Sequence, residues 1–341
     1  MEPRVIIVIL NWNGWRDTIE CLASLGRMTY LNYWVVVVDN GSTDDSVAKI
    51  RGYCDGKIPV ESSMFSGPTP EPISILEYTR EEALGGGGRE ESVERLPSSR
   101  RIVLVQNGRN YGFAEGNNVG ITYSLGALNP DYVMLLNNDT VVHTDFLNEL
   151  VVVGESDQKI GVLGPKVLYY NFSGRADVIW YAGGRIVPWR EFLFSHVGDR
   201  ERDYGQFDSV RETEWCSGAA MLIRRNLVER SLLSTSYTFG YEDVEYCLNA
   251  ARFGMRVVYV YKSKAWHKVG VSRHMDGMGG TRNISEYFRF VRNNFSSPVY
   301  VYHAFAFSFV ALPKWLLMFF ALRGDRKALR SFVGEIRRLL A

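Results

Sequence analysis

The sequence predicts an α/β fold built on a mostly parallel sheet with helices on both faces. Three observations predict it. Apolar runs of strand length recur at Val5–Leu10, Val35–Val38, Ile102–Val105 and Tyr132–Leu136. Segments of helical spacing separate them, and turn-forming Asn, Asp and Gly cluster just beyond them. Runs without polar alternation are strands covered on both sides, and strand–helix alternation at this rhythm gives a parallel sheet.

Each element follows from its local pattern. Val5 to Leu10 is too short to span a membrane and no small-residue cleavage site follows it, so it reads as a core strand and not a signal peptide. The next helix places Trp15, Ile19 and Leu22 on one face and stops near Gly26. Val35–Val38 ends at Asp39. Asn40–Thr43 then turns into a helix with Val47 and Ile50 inward and Gly52 as its expected C-cap. After Ile102–Val105, Ala114, Asn118, Ile121 and Leu125 line one helix face, and Tyr132–Leu136 follows. Residues 53–100 break the rhythm with Gly67–Pro68, Pro70, Pro72, the run Gly85–Gly88 and the charged stretch Arg89–Arg95. A surface insertion is expected there, with a short hairpin around Ile73 to Tyr78. From Thr144 a helix turns Phe146, Leu147, Leu150 and Val151 inward. Irregular, aromatic-rich sequence runs to about residue 215. Glu242–Arg252 reads as a helix with Val244, Cys247, Leu248 and Ala251 inward, and Arg256–Val260 as a strand.

Bulk properties narrow the function. In 341 residues, 46% are hydrophobic and 23% charged, a globular balance. The net charge of +1 offers no polyanion footprint, so nucleic acid is not an expected partner. Cys21, Cys54, Cys216 and Cys247 form no CxxC pair and read as reduced, buried thiols of a cytosolic compartment. Pro298–Leu322 carries Lys314 as its single charge, and Pro313–Lys314 cuts it in two. Arg289 and Arg292 precede it; Arg323, Arg326 and Lys327 follow. Basic clusters at both ends disfavour one clean span, so two interfacial helices or a shallow re-entrant hairpin are expected at a membrane surface. A buried helix pair or a dimer interface is the rival reading.

Open α/β sheets bind ligands at the carboxyl ends of their strands. Four polar motifs stand at such places: Asn11-Trp12-Asn13-Gly14, Asp39-Asn40-Gly41-Ser42, Asn110-Tyr111-Gly112-Phe113 and Asn137-Asn138-Asp139. One would be an ordinary turn; four on one edge describe a site. The first strand lacks a following GxGxxG, which disfavours a dinucleotide oxidoreductase.

With VIIVILNWNG, VVVVDNGSTDDS, NYGFAEGNNVGI, LLNNDT, WCSGAAMLIRR, FGYEDVEYCLNAARFG and YFRFVRNN in this order, the chain resembles a family 2 glycosyltransferase of the Rossmann-like GT-A fold. That group includes rhamnosyl- and mannosyltransferases and, more distantly, cellulose synthase and dolichyl-phosphate-mannose synthase. The likeness runs from about residue 4 to 295, less the insertion. It implies a nucleotide-sugar-binding half at 1–143 and an acceptor-binding catalytic half at 144–295, while the apolar and basic composition of 296–341 predicts membrane-associated helices there.

The resemblance also implies roles. Asn11 and Asn13 would flank the base, Asp39 would bind base or ribose, and Asn110, Gly112, Asn117 and Asn138 would line the nucleotide. Asp139 stands where the family's D-x-D motif holds a divalent metal, Mn²⁺ or Mg²⁺, on the donor diphosphate. The motif's first Asp is Asn137 here, and one carboxylate fewer weakens metal binding before the donor arrives. His267 matches a late histidine that serves as a third ligand. Asp243 would be the general base of an inverting transfer, taking the acceptor hydroxyl's proton, with Glu242 beside it. Trp215 would wall the acceptor side, and Arg289 and Arg292 would reach a diphosphate or lipid phosphate. The Q-x-x-R-W element of processive synthases is absent, so one sugar per acceptor is expected. The implied reaction moves a sugar from a nucleoside-diphosphate donor, GDP-mannose first and dTDP-rhamnose or a UDP-sugar next, to a lipid-linked or membrane-proximal glycan. Its rivals are a catalytically silent nucleotide-sugar scaffold and a soluble dimeric rhamnosyltransferase-like enzyme.

Overall fold

A computed structural model describes residues 2–65, 71–189, 193–238, 240–269 and 284–311, in two compact units: Met1–Gly184 with His196–Ser272, and Arg185–Ser195 with Arg273–Ala341. In chain order the elements of the first half are β1 (Val5–Asn11), α1 (Trp15–Leu25), β2 (Tyr33–Asp39), α2 (Ser46–Cys54), β3 (Ser74–Thr79), α3 (Arg80–Leu84), β4 (Arg101–Gln106), α4 (Phe113–Tyr123), β5 (Tyr132–Asn137), β6 (Thr140–Val142) and α5 (Phe146–Ser156). There follow β7 (Ile160–Tyr169), β8 (Ile179–Tyr181), β9 (Gly184–Ile186), β10 (Phe194–His196), β11 (Arg211–Glu212), β12 (Ala220–Arg224), α6 (Arg225–Val228), α7 (Glu242–Arg252), β13 (Arg256–His267), α8 (Ile284–Asn294) and α9 (Ser297–Ala306).

The first unit is one mixed sheet in the order β11-β13-β7-β12-β5-β1-β2-β4-β3, with β6 added to β13 and β8 to β7. Strands β3, β4, β2, β1 and β5 run parallel, and β12 is antiparallel to both β5 and β7. After β1 the chain builds outward through β2 and β4, then returns to lay β5 on the other side of β1. That reversal opens a crevice between β1 and β5 at their carboxyl ends, the place where such sheets take ligands. Register lines up the polar residues there: Asn11 lies beside Asp39, and Leu10 beside Asn137. The valines and isoleucines behind them are buried on both faces of the sheet. Helix α4 packs unusually close to the sheet, since a Cβ on Gly120 would lie 2.5 Å from Val8 and 3.0 Å from Val38.

Several expectations change. Residues 74–79 are not a hairpin but a single strand, β3, added in parallel to the edge of β4. A parallel edge offers unpaired N–H and C=O groups that a strand can satisfy, and Leu76 and Tyr78 face the core. Thr79 and Glu82 form a capping box that starts α3. Glu90, in the charged stretch, accepts the hydroxyls of Tyr78 and Tyr123 at 2.8 and 2.6 Å, so this stretch is anchored to the fold. Helix α2 passes through Gly52 to Cys54, and Gly56 takes the left-handed turn at φ 73°. On α7, Tyr246 and Ala250 are buried, whereas Leu248 is half-buried and Ala251 exposed. Residues 160–169, expected to be irregular, form a ten-residue strand, buried except at Tyr169. Its Gly161, Gly164 and Pro165 look like turn residues, yet Cβ atoms on the glycines would meet Met255 at 2.8 Å and Cys216 at 2.7 Å. They are packing glycines.

In the second unit, α8 buries Phe288, Phe290 and Val291, and α9 buries Val299 and His303. The Phe288 ring meets Tyr300 and Phe307 edge-on at 5.8 and 5.6 Å. His303 is held at both nitrogens: the Tyr287 hydroxyl lies 2.7 Å from Nδ1, and Nε2 lies 2.7 Å from the Pro188 carbonyl of the β9–β10 hairpin. Among the described residues no helix is long and apolar enough to cross a membrane. The Pro313–Lys314 break and the basic residues from Arg323 onward lie outside the described residues.

Candidate active site

The motifs at the ends of β1, β2 and β4 are knitted to one another. Asp39 ends β2 with its carboxylate inside the loops: Oδ1 accepts from Asn11 Nδ2 at 2.8 Å and Ser42 Oγ at 2.6 Å, and Oδ2 from the Ser42 N–H at 3.1 Å. Asn11 is fully buried, and its Oδ1 accepts from the Thr18 hydroxyl at 2.8 Å. Asn13 adopts φ 52°, and its Oδ1 caps the N–H groups of Thr43 and Asp44 at 2.7 and 3.2 Å. Both asparagines therefore join the β1–α1 loop to the β2–α2 loop. Asn40 joins the next pair of loops. Its Nδ2 donates to Asn110 Oδ1 at 2.9 Å and to the Gly112 carbonyl at 3.1 Å, while its Oδ1 accepts from Asn107 Nδ2 and the Tyr111 N–H. Gly112 opens α4 at φ 82°, a conformation that favours glycine, and Asn117 bonds back to the Phe113 carbonyl at 2.9 Å. Asn138 crosses the β1–β5 crevice, donating to Thr18 Oγ1 at 3.1 Å and the Gly14 carbonyl at 3.3 Å.

On the other side of the crevice stand charged groups. Asp139 Oδ1 lies 3.0 Å from His267 Nε2, and both side chains are more than nine-tenths buried. Their meeting follows from pairing: β6 runs antiparallel to the end of β13, with Thr140 opposite His267, and the Lys268 N–H donates to the Asp139 carbonyl at 3.0 Å. Burial works against the Asp139 charge, but the His267 imidazole beside it holds the carboxyl below the usual carboxylate range. The His267 ring is wedged edge-on against Trp180 at 4.6 Å, and its Nδ1 is buried without a hydrogen-bond partner. Asp139 and His267 thus offer an oxygen and a nitrogen donor to a divalent cation, the donor types such a site uses. Among the described residues no group of three His, Cys, Asp or Glu side chains gathers as a metal cage.

Asp243 reaches the same edge from α7. Its Oδ2 accepts the Gly218 N–H at 2.9 Å and its Oδ1 the Val244 N–H at 2.8 Å. Gly218 precedes β12, and the neighbouring Ala219 carbonyl accepts the Asn137 N–H at 3.0 Å, so Asp243 is tied to the carboxyl end of β5 through its bond to the Gly218 N–H and this backbone bond. Gly218 also lies against the ring of Phe113, the first residue of α4. Burial pushes the Asp243 carboxyl up, opposed by the Gly218 and Val244 N–H groups. Glu242 is engaged locally: its Oε2 accepts the N–H groups of Gly240 and Tyr241 at 2.7 and 2.9 Å, and burial followed by the Asp243 charge pushes it up to about 7.

Trp215 is 2% exposed, its ring packed on Tyr181 and His196 at 5.7 and 5.1 Å, so it is a core side chain in this conformation. Arg289 and Arg292 are exposed on α8 in the second unit. Sequence reasoning did not single out Ser42, Thr18 or Asn40 individually, although two of them lie inside a quoted motif. It also passed over Lys268, whose Nζ bridges Asp17 and Glu20 of α1 and clamps the strand end that carries His267. Its adjacency to His267 was the available signal.

A mixed sheet with this reversal, loop network and carboxylate edge defines a GT-A-like glycosyltransferase fold. Solved structures with the same architecture include GalNAc-T7 with UDP, GalNAc and Mn²⁺ (15% identity, TM-score 0.55, 85% of this chain and 48% of that one). They also include the mannosyltransferase PcManGT of Pyrobaculum calidifontis with GDP-Man and Mn²⁺ (16%, 0.52, 100% and 81%) and residues 1–349 of S. aureus TarS (12%, 0.53, 98% and 80%). The family model described as glycosyltransferase like family 2 matches residues 90–280, and that described as glycosyl transferase family 2 matches residues 5–63. The chain belongs to glycosyltransferase family 2. Its curated relatives include the low-salt glycan biosynthesis hexosyltransferase Agl10 of Haloferax volcanii, 26% identical over 163 residues, 46% of this chain and 48% of that protein. The uncharacterized protein y4gI of Sinorhizobium fredii is 22% identical over 280 residues, 80% of this chain and 25% of that protein. The chain therefore spans half or less of the length of these curated relatives.

Proposed function

We propose that this glycosyltransferase moves a single sugar from a nucleoside-diphosphate donor to a lipid-linked or other membrane-proximal glycan, with inversion at the anomeric carbon. The observation that carries the reading is the buried Asp139–His267 contact at the β1–β5 crevice, with Asp243 tethered to the same strand end. In this reading residues 1–143 hold the donor, residues 144–295 supply the acceptor side, and Asp39, Asn110 and Gly112 shape the nucleoside pocket. Asp139 and His267 would hold a divalent cation, Mn²⁺ or Mg²⁺. The cation, when bound, supplies positive charge that stabilises the departing diphosphate. Asp243 accepts the acceptor hydroxyl's proton as that oxygen bonds to the anomeric carbon and the sugar–phosphate bond breaks. The two N–H groups on its carboxylate hold it in place through that transfer. GDP-mannose is the first donor to try, ahead of dTDP-rhamnose and UDP-sugars.

The test is nucleoside diphosphate release from each donor by the purified protein, with and without Mn²⁺, alongside Asp243→Asn. Metal-dependent release that falls by ~10²-fold or more in the variant supports the reading, and NMR of the product's anomeric proton reads inversion. No release from any donor, with Asp243→Asn binding nucleotide as the parent does, means a silent binding scaffold instead.

A further inference from the structure

The second unit turns an apolar stripe outward. On α9 and the turn that follows it, Val301, Tyr302, Phe305 and Phe309 are 63%, 37%, 61% and 66% exposed, while Val299 and His303 take the buried side. The spacing of three and four residues places them on one face. Trp189, 55% exposed at the tip of the β9–β10 hairpin, extends the stripe with its ring 5.6 Å from Tyr302, and the Phe305 and Phe309 rings lie 4.4 Å apart. Single exposed apolar residues are ordinary, but a contiguous run of five is not.

We propose that this stripe docks on the surface of an anionic lipid bilayer, with α9 lying in the interface plane. This rests on the reading that the acceptor is membrane-proximal. Its chemistry fits a lipid boundary: Trp and Tyr are the side chains favoured where hydrocarbon meets headgroups, and residues 297–311 contain no Asp, Glu, Lys or Arg that would have to be desolvated. Helix α8, packed on α9 through Phe288, exposes Arg289 and Arg292, which complement anionic headgroups. The sequence carries both themes onward, with the apolar Trp315–Leu322 followed by Arg323, Arg326, Lys327 and Arg330. A helix docked on one side needs no span, in keeping with the absence of a crossing helix among the described residues.

Flotation of the full-length protein with vesicles tests this. The parent protein floats with phosphatidylcholine vesicles containing phosphatidylglycerol and floats less with phosphatidylcholine alone. Phe305→Ser with Phe309→Ser lowers the floated fraction ~10-fold or more, leaves the melting curve in place, and leaves nucleoside diphosphate release in solution unchanged. Arg289→Gln with Arg292→Gln removes the preference for phosphatidylglycerol and the salt sensitivity of binding. A parent protein that stays down with both vesicle types overturns the proposal, as does a serine variant that floats like the parent. So does a concentration-dependent dimer, seen by sedimentation, that the serine variant abolishes without any vesicle binding: the stripe is then a self-association face. Flotation without sugar transfer sinks the enzymatic reading and leaves this one standing; transfer without flotation does the reverse.

Discussion

The two sides of the β1–β5 crevice are built on opposite terms. On the β2–β4 side, Asp39, Asn11 and Asn40 are saturated by bonds to neighbouring loops, so their polarity holds the loops in one shape. On the β5–β12 side, among the described residues, Asp139 has one side-chain partner, His267, whose other nitrogen lacks one, and Asp243 is held by the backbone N–H groups of Gly218 and Val244. The first side is a preformed cradle. The second keeps its carboxylates in low-dielectric surroundings with fewer partners, and on the proposed reading that is where a cation or hydroxyl is met.

Substitutions that exchange these properties break or sharpen the contrast. Asp139→Asn removes the charge and keeps the size. Turnover falls by ~10²-fold or more, and titration calorimetry of the nucleoside diphosphate no longer shows tighter binding with Mn²⁺. Unchanged Mn²⁺ dependence would move the metal elsewhere. Gly41→Ala attacks the cradle instead. A Cβ there would lie 2.3 Å from the Arg109 backbone at φ +71°, so one loop must shift. Stability drops by about 3 kcal/mol in denaturant unfolding, and nucleotide affinity falls with it.

Asn40→Ala leaves the buried Asn107 amide and the Tyr111 N–H without their acceptor. About 2 kcal/mol of stability is lost, and the Michaelis constant for donor rises more than the turnover number changes. The smallest effect is a pH dependence. Glu242, pushed up to about 7, binds its proton more tightly in the folded protein than in the unfolded one. The fold keeps that advantage below the unfolded carboxyl value and loses it as pH rises through about 7. Glu242→Gln, which retains an acceptor for Gly240 and Tyr241, therefore raises the melting temperature by about 2 °C at pH 8 and leaves it nearly unchanged at pH 5. The opposite order would mean that Glu242 is ionised and stabilised by its cap.

How much of this was legible depends on how local each signal is. The strands β1, β2, β4 and β5 announced themselves, because burial on both faces requires uninterrupted apolar runs. Motif order singled out Asp139, Asp243 and His267 as candidates. Strand β7 was not legible, since Gly161, Gly164 and Pro165 carry local turn chemistry that close packing against Met255 and Cys216 overrides. Trp215 looked like a stacking platform, yet an aromatic ring buries wherever partners surround it, and Tyr181 and His196 do. That Asn11 and Asn13 bond to Ser42 and Thr43, not outward, was likewise hidden.

By itself the sequence determined the parallel half of the sheet, the polar residues at its carboxyl edge and the family. These are written in period, turn chemistry and motif order, all read along the chain. Only the tertiary structure decided which polar groups satisfy one another, that the insertion adds a strand to the sheet, and that His267 meets Asp139. Those outcomes depend on packing and strand pairing between segments far apart in sequence, where the same residue type can be a scaffold bond or a ligand depending on its neighbours.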